Sequence, residues 1–255
     1  MLKIGVVGCG YWGPNLIRNF KALQGCEVKI VCDSRKERLE HMRRLYPDLL
    51  ITTEYSDLVN DKEIDAVVIA TPVFTHHSLA IQSLCANKHT FIEKPLASSV
   101  GQSKELVNFA NKNNLTLMVG HTFIYRASVR KIKEIIDSGN IGDIMYIGSR
   151  RLNLGLFQKD INVAWDLAPH DISIILYLLG KDPETVSCQG MAHINPNIED
   201  VTNLTMNFSD CCWAMVQSSW IDPRKIRDMT IVGTKKMIVY DDLEPLEKIK
   251  IYDKG

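Results

Sequence analysis

The chain has 255 residues, 45% of them hydrophobic, which is enough for two modest domains that each bury a core. Its 30 basic and 30 acidic side chains cancel to a formal net charge of zero, so no bulk field attracts nucleic acid or an anionic membrane. The seven cysteines form no CxxC pair, no apolar run reaches the roughly 20 residues that span a bilayer, and the N-terminus lacks a signal-peptide pattern. We therefore expect a cytoplasmic protein with reduced thiols.

Strand and helix patterns alternate through the first half of the chain. Apolar runs predict strands over residues 3–7, 27–33, 66–70, 90–93 and 115–120, and helical patterns occupy residues 14–23, 34–46 and 102–111. The run over residues 66–70 is almost wholly apolar, as in a strand buried on both faces of a parallel sheet. This alternation predicts an α/β fold, a Rossmann doubly wound parallel sheet, over residues 1–121.

The pattern changes in the second half, where strands follow one another with few helices between them. Helices are predicted over residues 129–138 and 169–179, and strands over residues 144–153, 185–192, 201–208 and 211–220. Successive strands with a helix set apart predict an α+β domain over residues 122–255, built on an open, largely antiparallel sheet.

The first predicted strand leads into a GxGxxG sequence that opens a predicted helix, Gly8-Cys9-Gly10-Tyr11-Trp12-Gly13. Gly8 permits the tight turn, Gly10 lets a pyrophosphate approach the backbone, and Gly13 lets the helix pack against the strand. The helix N-terminus offers N–H groups and a favourable dipole to the phosphates. This context predicts that the turn binds NAD(H), and the alternative is an ordinary βα turn.

Asp33 ends the second predicted strand, twenty residues after Gly13. A carboxylate there suits the adenine-ribose hydroxyls of NAD and repels the 2′-phosphate of NADP. NAD is therefore the favoured cofactor, although Arg35 nearby would suit a phosphate. The alternative role for Asp33 is a turn or helix-cap carboxylate.

Two short motifs follow later strands of the predicted parallel sheet. Thr71-Pro72 comes after what the pattern gives as the third strand, and Glu93-Lys94-Pro95 comes after the next one. Residues at the carboxyl ends of such strands face the ligand crevice. Lys94 is therefore a candidate for the reacting centre, and the alternative is a solvated loop charge.

Asp166 and His170 are spaced i, i+4 at the start of a predicted helix, so their side chains can share one face. Pro169 fits the first turn of that helix. The alternative makes Asp166 an N-cap and His170 an ordinary surface or core histidine.

Together these motifs resemble the glucose–fructose oxidoreductase and inositol dehydrogenase (Gfo/Idh/MocA) family: the glycine turn, Ala70-Thr71-Pro72 with His76, Glu93-Lys94-Pro95, and Asp166 with His170. The resemblance runs from residue 2 to about residue 242. It implies a second domain whose sheet meets substrate and nicotinamide on one face and often a partner subunit on the other. We therefore expect a homodimer or homotetramer, to which the strand region around Trp213, Met215 and Trp220 supplies apolar contacts.

The family pattern continues for several dozen residues beyond Asp241-Asp242. The second domain is therefore expected to be short at its C-terminus, either naturally or through truncation. The segment over residues 150–155, with residues 165–171, is similar to members that act on nucleotide-linked sugars, including those that oxidise the sugar 3-hydroxyl. A UDP-N-acetylhexosamine is the substrate that this similarity implies.

The resemblance also implies roles for individual residues. Catalysis is assigned to Lys94, His170 and Asp166. Cofactor contacts are assigned to Gly8, Gly10, Tyr11, Trp12, Gly13, Asp33, Ser34, Arg35, Thr71, Pro72, His76, Glu93 and Lys94. Substrate contacts are assigned to Lys94, Arg151, Asn153, Asp166 and His170.

Oxidation of a secondary alcohol requires a base within hydrogen-bond reach of the hydroxyl. We assign this role to His170, oriented by Asp166, and assign stabilisation of the alkoxide to Lys94, which is also the alternative acid or base. No metal is expected, since the histidines and cysteines lack structural-zinc spacing. Two other functions stay open: a free sugar or inositol dehydrogenase, and a non-catalytic protein that binds NAD as a sensor or structural ligand.

Overall fold

The computed structural model describes residues 1–159 and 161–254, and the chain divides into two compact units, Met1–Gly120 and His121–Gly255. The first unit contains a six-stranded parallel sheet in the order β3-β2-β1-β4-β5-β6. Its strands are β1 Leu2–Val7, β2 Cys26–Cys32, β3 Leu50–Thr52, β4 Ala66–Ile69, β5 His89–Ile92 and β6 Leu117–Val119. In this order the ligand crevice lies at the carboxyl ends of β1 and β4, where the winding reverses.

Helices cover both faces of this sheet. They are α1 Gly13–Lys21, α2 Lys36–Leu45, α3 Tyr55–Asn60, α4 Val73–Cys85 and α5 Val100–Lys112. One core receives Leu84 and Leu106 from α4 and α5, and the other receives Ile17 and Met42 from α1 and α2. The Rossmann sheet predicted for this half is confirmed.

The sequence pattern does not predict β3, α3 or α4. β3 has only three residues, which is too short to show a period of two. α4 buries His76 and Ser83 along with apolar residues, so its buried face is not a continuous apolar stripe. Because β3 intervenes, Thr71 and Pro72 follow the fourth strand and not the third.

The second unit contains a seven-stranded sheet in the order β13-β12-β11-β7-β10-β9-β8. Its strands are β7 Ile144–Leu154, β8 Thr185–Met191, β9 Val201–Asn207, β10 Trp213–Ser219, β11 Ile221–Gly233, β12 Lys236–Asp241 and β13 Ile249–Asp253. β7 and β10 run parallel, and the other neighbouring pairs in the described residues run antiparallel. The largely antiparallel sheet is confirmed, and β11, β12 and β13 extend it beyond the predicted strands.

Helices cover one face of the second sheet. These are a 3-10 helix over Thr122–Tyr125, α6 Ala127–Asp137 and α7 Val163–Leu179. Ile132 and Ile175 from α6 and α7 pack with Ile147 and Ile231 from the sheet in one core. Side chains alternate along a strand, so residues adjacent to these in sequence lie on the outer face.

Helix α7 begins six residues before the predicted start at Pro169. The Asn162 side chain caps it by accepting a hydrogen bond from the Trp165 N–H at 3.1 Å. Pro169 therefore lies inside the helix and not in its first turn, and Asp166 lies within the helix and is not its N-cap. Asparagine and aspartate are equally good N-cap residues, so residue type alone does not locate the start of the helix. Asn162 is the N-cap because the helix continues through Pro169.

Candidate active site

Three glycines shape the turn after β1. Gly8 has a φ of +97°, and a Cβ on it would lie 2.5 Å from the Ala70 carbonyl oxygen, while a Cβ on Gly13 would lie 1.8 Å from the Gly8 carbonyl oxygen. These two positions therefore exclude any side chain. Gly10 differs, because the nearest atom to its Cβ would be an Arg35 guanidinium nitrogen at 3.8 Å. A Cβ at Gly10 would fill the open space that a pyrophosphate needs in order to approach the backbone.

Helix α1 starts at this turn without a side-chain cap. Trp12 is its N-cap residue but makes no capping hydrogen bond, and no acidic residue lies in its first turn. The N–H groups and the positive end of the helix dipole therefore suit an anion. The rings of Tyr11 and Trp12, 5.6 Å apart and perpendicular, stay exposed beside them. A dinucleotide thus fits this turn through the space at Gly10 and the N-terminus of α1.

Asp33 lies just after β2, with its carboxylate buried. Its Oδ2 accepts a hydrogen bond from the Cys9 N–H at 2.6 Å, and its Oδ1 accepts one from the Arg35 N–H at 2.9 Å. The Arg35 guanidinium donates to both oxygens, at 3.1 and 3.3 Å. Burial by itself raises the pKa of Asp33, but the hydrogen bonds from Arg35 and Cys9 and the charge of Arg35 outweigh it, so the pKa lies below its usual value.

This bonding gives Asp33 a structural role in the glycine turn, which it ties to the end of β2. Asp33 is not a helix cap, because α2 begins at Lys36 with Arg35 as its N-cap residue. Each carboxylate oxygen has about two acceptor positions, and Cys9 and Arg35 occupy them. Ribose hydroxyls therefore compete with the Arg35 guanidinium for Asp33, while Ser34 is exposed beside it.

His76 on α4 joins the loops that follow β4 and β5. Its Nε2 lies 2.8 Å from the Thr71 carbonyl oxygen and its Nδ1 lies 2.8 Å from the Pro95 carbonyl oxygen. Burial lowers the pKa of this histidine, and the two backbone contacts oppose the effect. Because the imidazole is buried with both nitrogens engaged, the structure supports a brace between the loops and not a direct cofactor contact by the His76 side chain.

Glu93 and Lys94 stand at the carboxyl end of β5. A Cβ on Gly120 would lie 3.1 Å from Glu93 Oε1, so the glycine lets this carboxylate lie against the end of β6. Burial raises the pKa of Glu93, and the hydrogen bond and charge of Lys94 oppose the rise. Lys94 is partly buried and precedes Pro95 through a cis peptide bond. Pro72, at the end of β4, is the N-cap residue of α4.

Asp166 and His170 lie one turn apart on α7, as their spacing predicts. The indole N–H of Trp220, which is 1% exposed, donates to Asp166 Oδ2 at 3.1 Å. The His170 ring packs against the Phe123 ring, with centres 4.6 Å apart. The carboxylate is thus held by a buried donor, and an aromatic ring supports the imidazole.

Arg151 occupies a different environment from the one expected of a substrate contact. Its guanidinium donates to both oxygens of Asp171, at 2.6 and 3.2 Å, and the Ser149 hydroxyl donates to the same carboxylate at 2.8 Å. Arg151 and Asp171 are both buried. The structure therefore supports an internal ion pair and not direct substrate contact, because a bidentate pair leaves the guanidinium committed. Asn153 is partly exposed further along β7.

Sequence reasoning missed Trp220 as a neighbour of Asp166 and grouped it with Trp213 and Met215 as a subunit contact. Trp213 and Met215 do lie on the outer face, 38% and 36% exposed, but Trp220 is buried beyond the end of β10. Side chains along β10 alternate between the two faces of the sheet, so Trp213 lies on the opposite face from its even-numbered neighbours. Trp220 follows the end of this strand and is not part of the alternation. No local pattern marks this contact, since its partner lies 54 residues away.

The described residues contain neither a candidate metal site nor a membrane-spanning helix. No group of three or more His, Cys, Asp or Glu side chains in residues 1–159 and 161–254 is arranged to hold a metal ion. Within the same residues, no helix combines the length and apolar character needed to cross a bilayer.

Known proteins resemble both units. Residues 2–121 match the model of an oxidoreductase family with an NAD-binding Rossmann fold, and residues 129–239 match the GFO/IDH/MocA C-terminal domain. Inositol 2-dehydrogenase of Salmonella typhimurium is 30% identical over 190 residues, which cover 72% of this chain and 56% of that enzyme. An uncharacterised oxidoreductase of Streptococcus pneumoniae is 29% identical over 235 residues, or 85% of this chain and 62% of the relative. The chain thus spans less than two thirds of the length of these two relatives.

Solved structures extend the similarity over the whole chain. UDP-N-acetylglucosamine 3-dehydrogenase GnnA from Acidithiobacillus ferrooxidans matches with a TM-score of 0.86 and 25% identity, covering 100% of this chain and 80% of that one. The WlbA dehydrogenase from Bordetella pertussis, solved with NADH and UDP-GlcNAcA, shares the fold with a TM-score of 0.90 and 19% identity, covering 100% of this chain and 78% of that one. With both of its units matched, the chain belongs to the Gfo/Idh/MocA family of oxidoreductases with an NAD-binding Rossmann domain.

Proposed function

We propose that the protein is an NAD-dependent dehydrogenase that oxidises a secondary hydroxyl of a sugar, with a nucleotide-linked sugar as substrate and its 3-hydroxyl as the reacting group. The observation that carries this proposal is the pairing of Asp166 and His170 on one face of α7, with Asp166 held by the buried Trp220 indole. Lys94 at the end of β5 supplies a cation, and the glycine turn fits the dinucleotide.

The chemistry assigned to the side chains follows from their types. NAD, when bound, accepts the hydride that leaves the carbinol carbon. His170 removes the hydroxyl proton, because imidazole exchanges protons near neutral pH. Asp166 orients the imidazole or accepts a neighbouring hydroxyl, and Lys94 stabilises the negative charge that develops on the oxygen. The product is a ketone, and the proton stays on the base until solvent removes it.

The substrate class rests on similarity to individual relatives. GnnA, at 25% identity over the whole chain, is a UDP-N-acetylglucosamine 3-dehydrogenase, and this supports the nucleotide-linked sugar. Inositol 2-dehydrogenase, at 30% identity over 190 residues, supports a free inositol or sugar as the second candidate. The cytoplasmic location stays a prediction from composition.

Reduction of NAD in the presence of candidate alcohols tests the proposal. Absorbance of NADH is followed with UDP-N-acetylglucosamine, its uronate, glucose and myo-inositol in parallel. We expect NAD reduction with a nucleotide-linked sugar, and we expect His170→Ala and Lys94→Ala to lower kcat by about 10²–10⁴ while the NAD Kd changes only a few-fold. Asp166→Asn should lower kcat less than these two substitutions do if Asp166 only orients the imidazole.

Three results would count against this function. Activity confined to free sugars or inositol favours the second candidate. NAD binding without reduction by any of these alcohols favours a sensor or structural role for the dinucleotide. Near-full activity of both alanine variants removes the catalytic assignment and leaves the dinucleotide site.

A further inference from the structure

Three arginines meet on the helix-covered face of the second sheet, and we call them the arginine cluster: Arg126, Arg151 and Arg227. Arg227 on β11 is the register partner of Arg151 on β7, so both side chains leave the same face of the sheet. Arg126 directly precedes α6. The guanidinium carbons of Arg126 and Arg151 each lie 4.5 Å from the centre of the Phe123 ring.

Two buried carboxylates satisfy two of these guanidiniums. Asp171 pairs with Arg151, and Asp242 pairs with Arg126. Arg227 reaches Asp242 only at 3.9 Å, between Nη1 and Oδ2. Its buried Nε has no hydrogen-bond acceptor among the residues that the structure describes. Arg151 thus has a carboxylate to itself, whereas Arg126 and Arg227 share Asp242.

The surroundings of Arg227 are electropositive. Burial lowers the pKa of Arg227 most, followed by the charge of Arg151 and then that of Arg126, and the carboxylates of Asp242 and Asp171 oppose the fall. A guanidinium nevertheless stays protonated in proteins. Lys248 Nζ donates to the Asp242 main-chain oxygen at 2.6 Å and adds a further positive charge nearby. An additional anion at Arg227 would therefore be stabilised by a charge that the protein compensates only in part, through a shared carboxylate and with no acceptor for Nε among the described residues.

The accessible part of the arginine cluster lies near the proposed base. The side chains of Arg227 and Arg126 are 31% and 42% exposed, whereas that of Arg151 is 5% exposed. The Phe123 ring that contacts Arg126 also contacts the His170 ring, 4.6 Å away between centres. A ligand held by Arg227 and Arg126 would thus lie in the same part of the second unit as His170.

We propose that Arg227 and Arg126 form an anion-binding subsite for a carboxylate or phosphate group of the substrate. The buried Arg151–Asp171 pair keeps the neighbouring strand and helix in place beneath it. Guanidinium groups suit this task because they bind carboxylate and phosphate oxygens through two parallel hydrogen bonds. As a statement about substrate, this inference rests on the proposed function, and it narrows the substrate to sugars that carry an anionic group.

Binding without turnover tests the subsite. The full chain is saturated with NADH, which fills the phosphate positions of the dinucleotide turn and permits no oxidation of an alcohol. Calorimetric titrations then compare glucuronate, glucose 1-phosphate and neutral glucose. We expect at least one of the two anions to bind more tightly than glucose, and its identity distinguishes a carboxylate from a phosphate ligand. Arg227→Met should weaken anion binding about tenfold to a hundredfold, as expected for the loss of a charged hydrogen bond.

Arg150→Met is the matched control. Arg150 is adjacent to Arg151 on β7, so it points to the other face of the sheet, where it pairs with Asp228. We expect Arg150→Met to leave anion binding unchanged. The variant and the parent are compared at the same oligomeric state, as verified by their molar masses. If Arg227→Met does not fold, Arg227→Lys, which keeps the charge but loses the two-pronged geometry, should weaken anion binding by a smaller factor.

The inference is overturned if neither anion binds more tightly than glucose, or if a folded Arg227 variant binds the anions as the parent does. Its failure is separable from that of the proposed function. Anion binding that depends on Arg227, without reduction of NAD by any sugar, would sustain the subsite and reject the dehydrogenase. NAD reduction by sugars, with anion binding that does not depend on Arg227, would sustain the dehydrogenase and reject the subsite.

Discussion

Asp33 has a structural role in the glycine turn, in addition to the cofactor contact that we predict for it. Its carboxylate closes the glycine turn through the Cys9 N–H and is also covered by the half-exposed Arg35 guanidinium. The negative charge of Asp33, which would repel a 2′-phosphate, is thus partly neutralised by Arg35, which would attract that phosphate. We therefore expect the cofactor preference at this site to depend on the balance between these two side chains.

We predict that NAD(H) binds more tightly than NADP(H), and that two substitutions move this preference in opposite directions. Asp33→Ala should narrow the gap, because it removes both the repulsion and the ribose hydrogen bonds. Arg35→Ala should widen it, because it removes the cation nearest a 2′-phosphate and leaves the Asp33 carboxylate with only its main-chain donors, the N–H groups of residues 9 and 35. Fluorescence titration of the parent and both variants with NADH and NADPH measures the six dissociation constants.

Lys36→Ala serves as the control for loss of a positive charge, since Lys36 starts α2 beside Arg35. It should change the ratio of the two Kd values less than Arg35→Ala does. Equal or tighter binding of NADPH by the parent would reject the assignment of Asp33 to NAD selectivity.

Trp220 holds Asp166 through a single hydrogen bond from a nearly inaccessible ring. We predict that Trp220→Phe, which keeps a large ring but loses the indole N–H, lowers kcat about tenfold, since a hydrogen bond to a charged group contributes about 1.5–3 kcal/mol. NADH affinity should be unchanged, because the dinucleotide turn lies in the other unit. Steady-state kinetics and NADH titration give the two readouts.

Trp213→Phe is the comparison, because Trp213 is partly exposed on the outer face of the same strand region. Its kcat should match that of the parent. A Trp220→Phe variant with a lowered melting temperature but an unchanged kcat would show that Trp220 only fills space.

At the scale of elements, the second sheet has two unlike faces. Helices α6 and α7 bury residues such as Ile147 and Ala214, and the alternation of side chains puts Trp213 and Met215 on the opposite face. The two outer residues are large and apolar, yet 38% and 36% exposed. An amphipathic sheet with exposed apolar side chains suits contact with a second copy of the same surface.

We predict that the protein forms a homodimer or homotetramer through this outer face. Light scattering at micromolar concentration should give twice or four times the chain mass of 28.9 kDa. Met215→Glu should weaken association at least tenfold, because two copies of a buried charge would face each other across a twofold interface.

The matched control is Val107→Glu on α5 of the first unit, where an apolar side chain that is no part of this sheet is 42% exposed. It should leave the molar mass unchanged. A monomeric parent protein would contradict the prediction, and so would an oligomer that both substitutions dissociate equally.

At the scale of the whole molecule, the proposed machinery is divided between two units that each have their own core. The first carries the glycine turn, Asp33 and Lys94. The second carries Asp166, His170 and the arginine cluster. Each of the two units has buried apolar residues of its own, as the length and composition of the chain lead us to expect.

Much of the fold follows from periodicity along the chain. The apolar runs of β1, β2 and β4, and the helical pattern of α5, identify their elements because burial on a strand or a helix repeats every two or 3.6 residues. The predicted start of α7 was wrong because Pro169 has the features of a first-turn residue. The helix in fact begins after the Asn162 cap, which lies in a polar stretch with no apolar period. β3 was not predicted because its three residues are too few to show a strand period.

The sequence by itself determined the glycine turn, the Lys94 motif and the spacing of Asp166 and His170, because each is a local arrangement that a strand, a turn or a helix places without help. Only the tertiary structure decided what surrounds them. Arg151 becomes a buried partner of Asp171, 20 residues away, and Trp220 becomes the donor to Asp166, 54 residues away. The reason is physical: a side chain's burial and its hydrogen-bond partners depend on which strands and helices pack together, and packing joins residues whose separation leaves no trace in any local period.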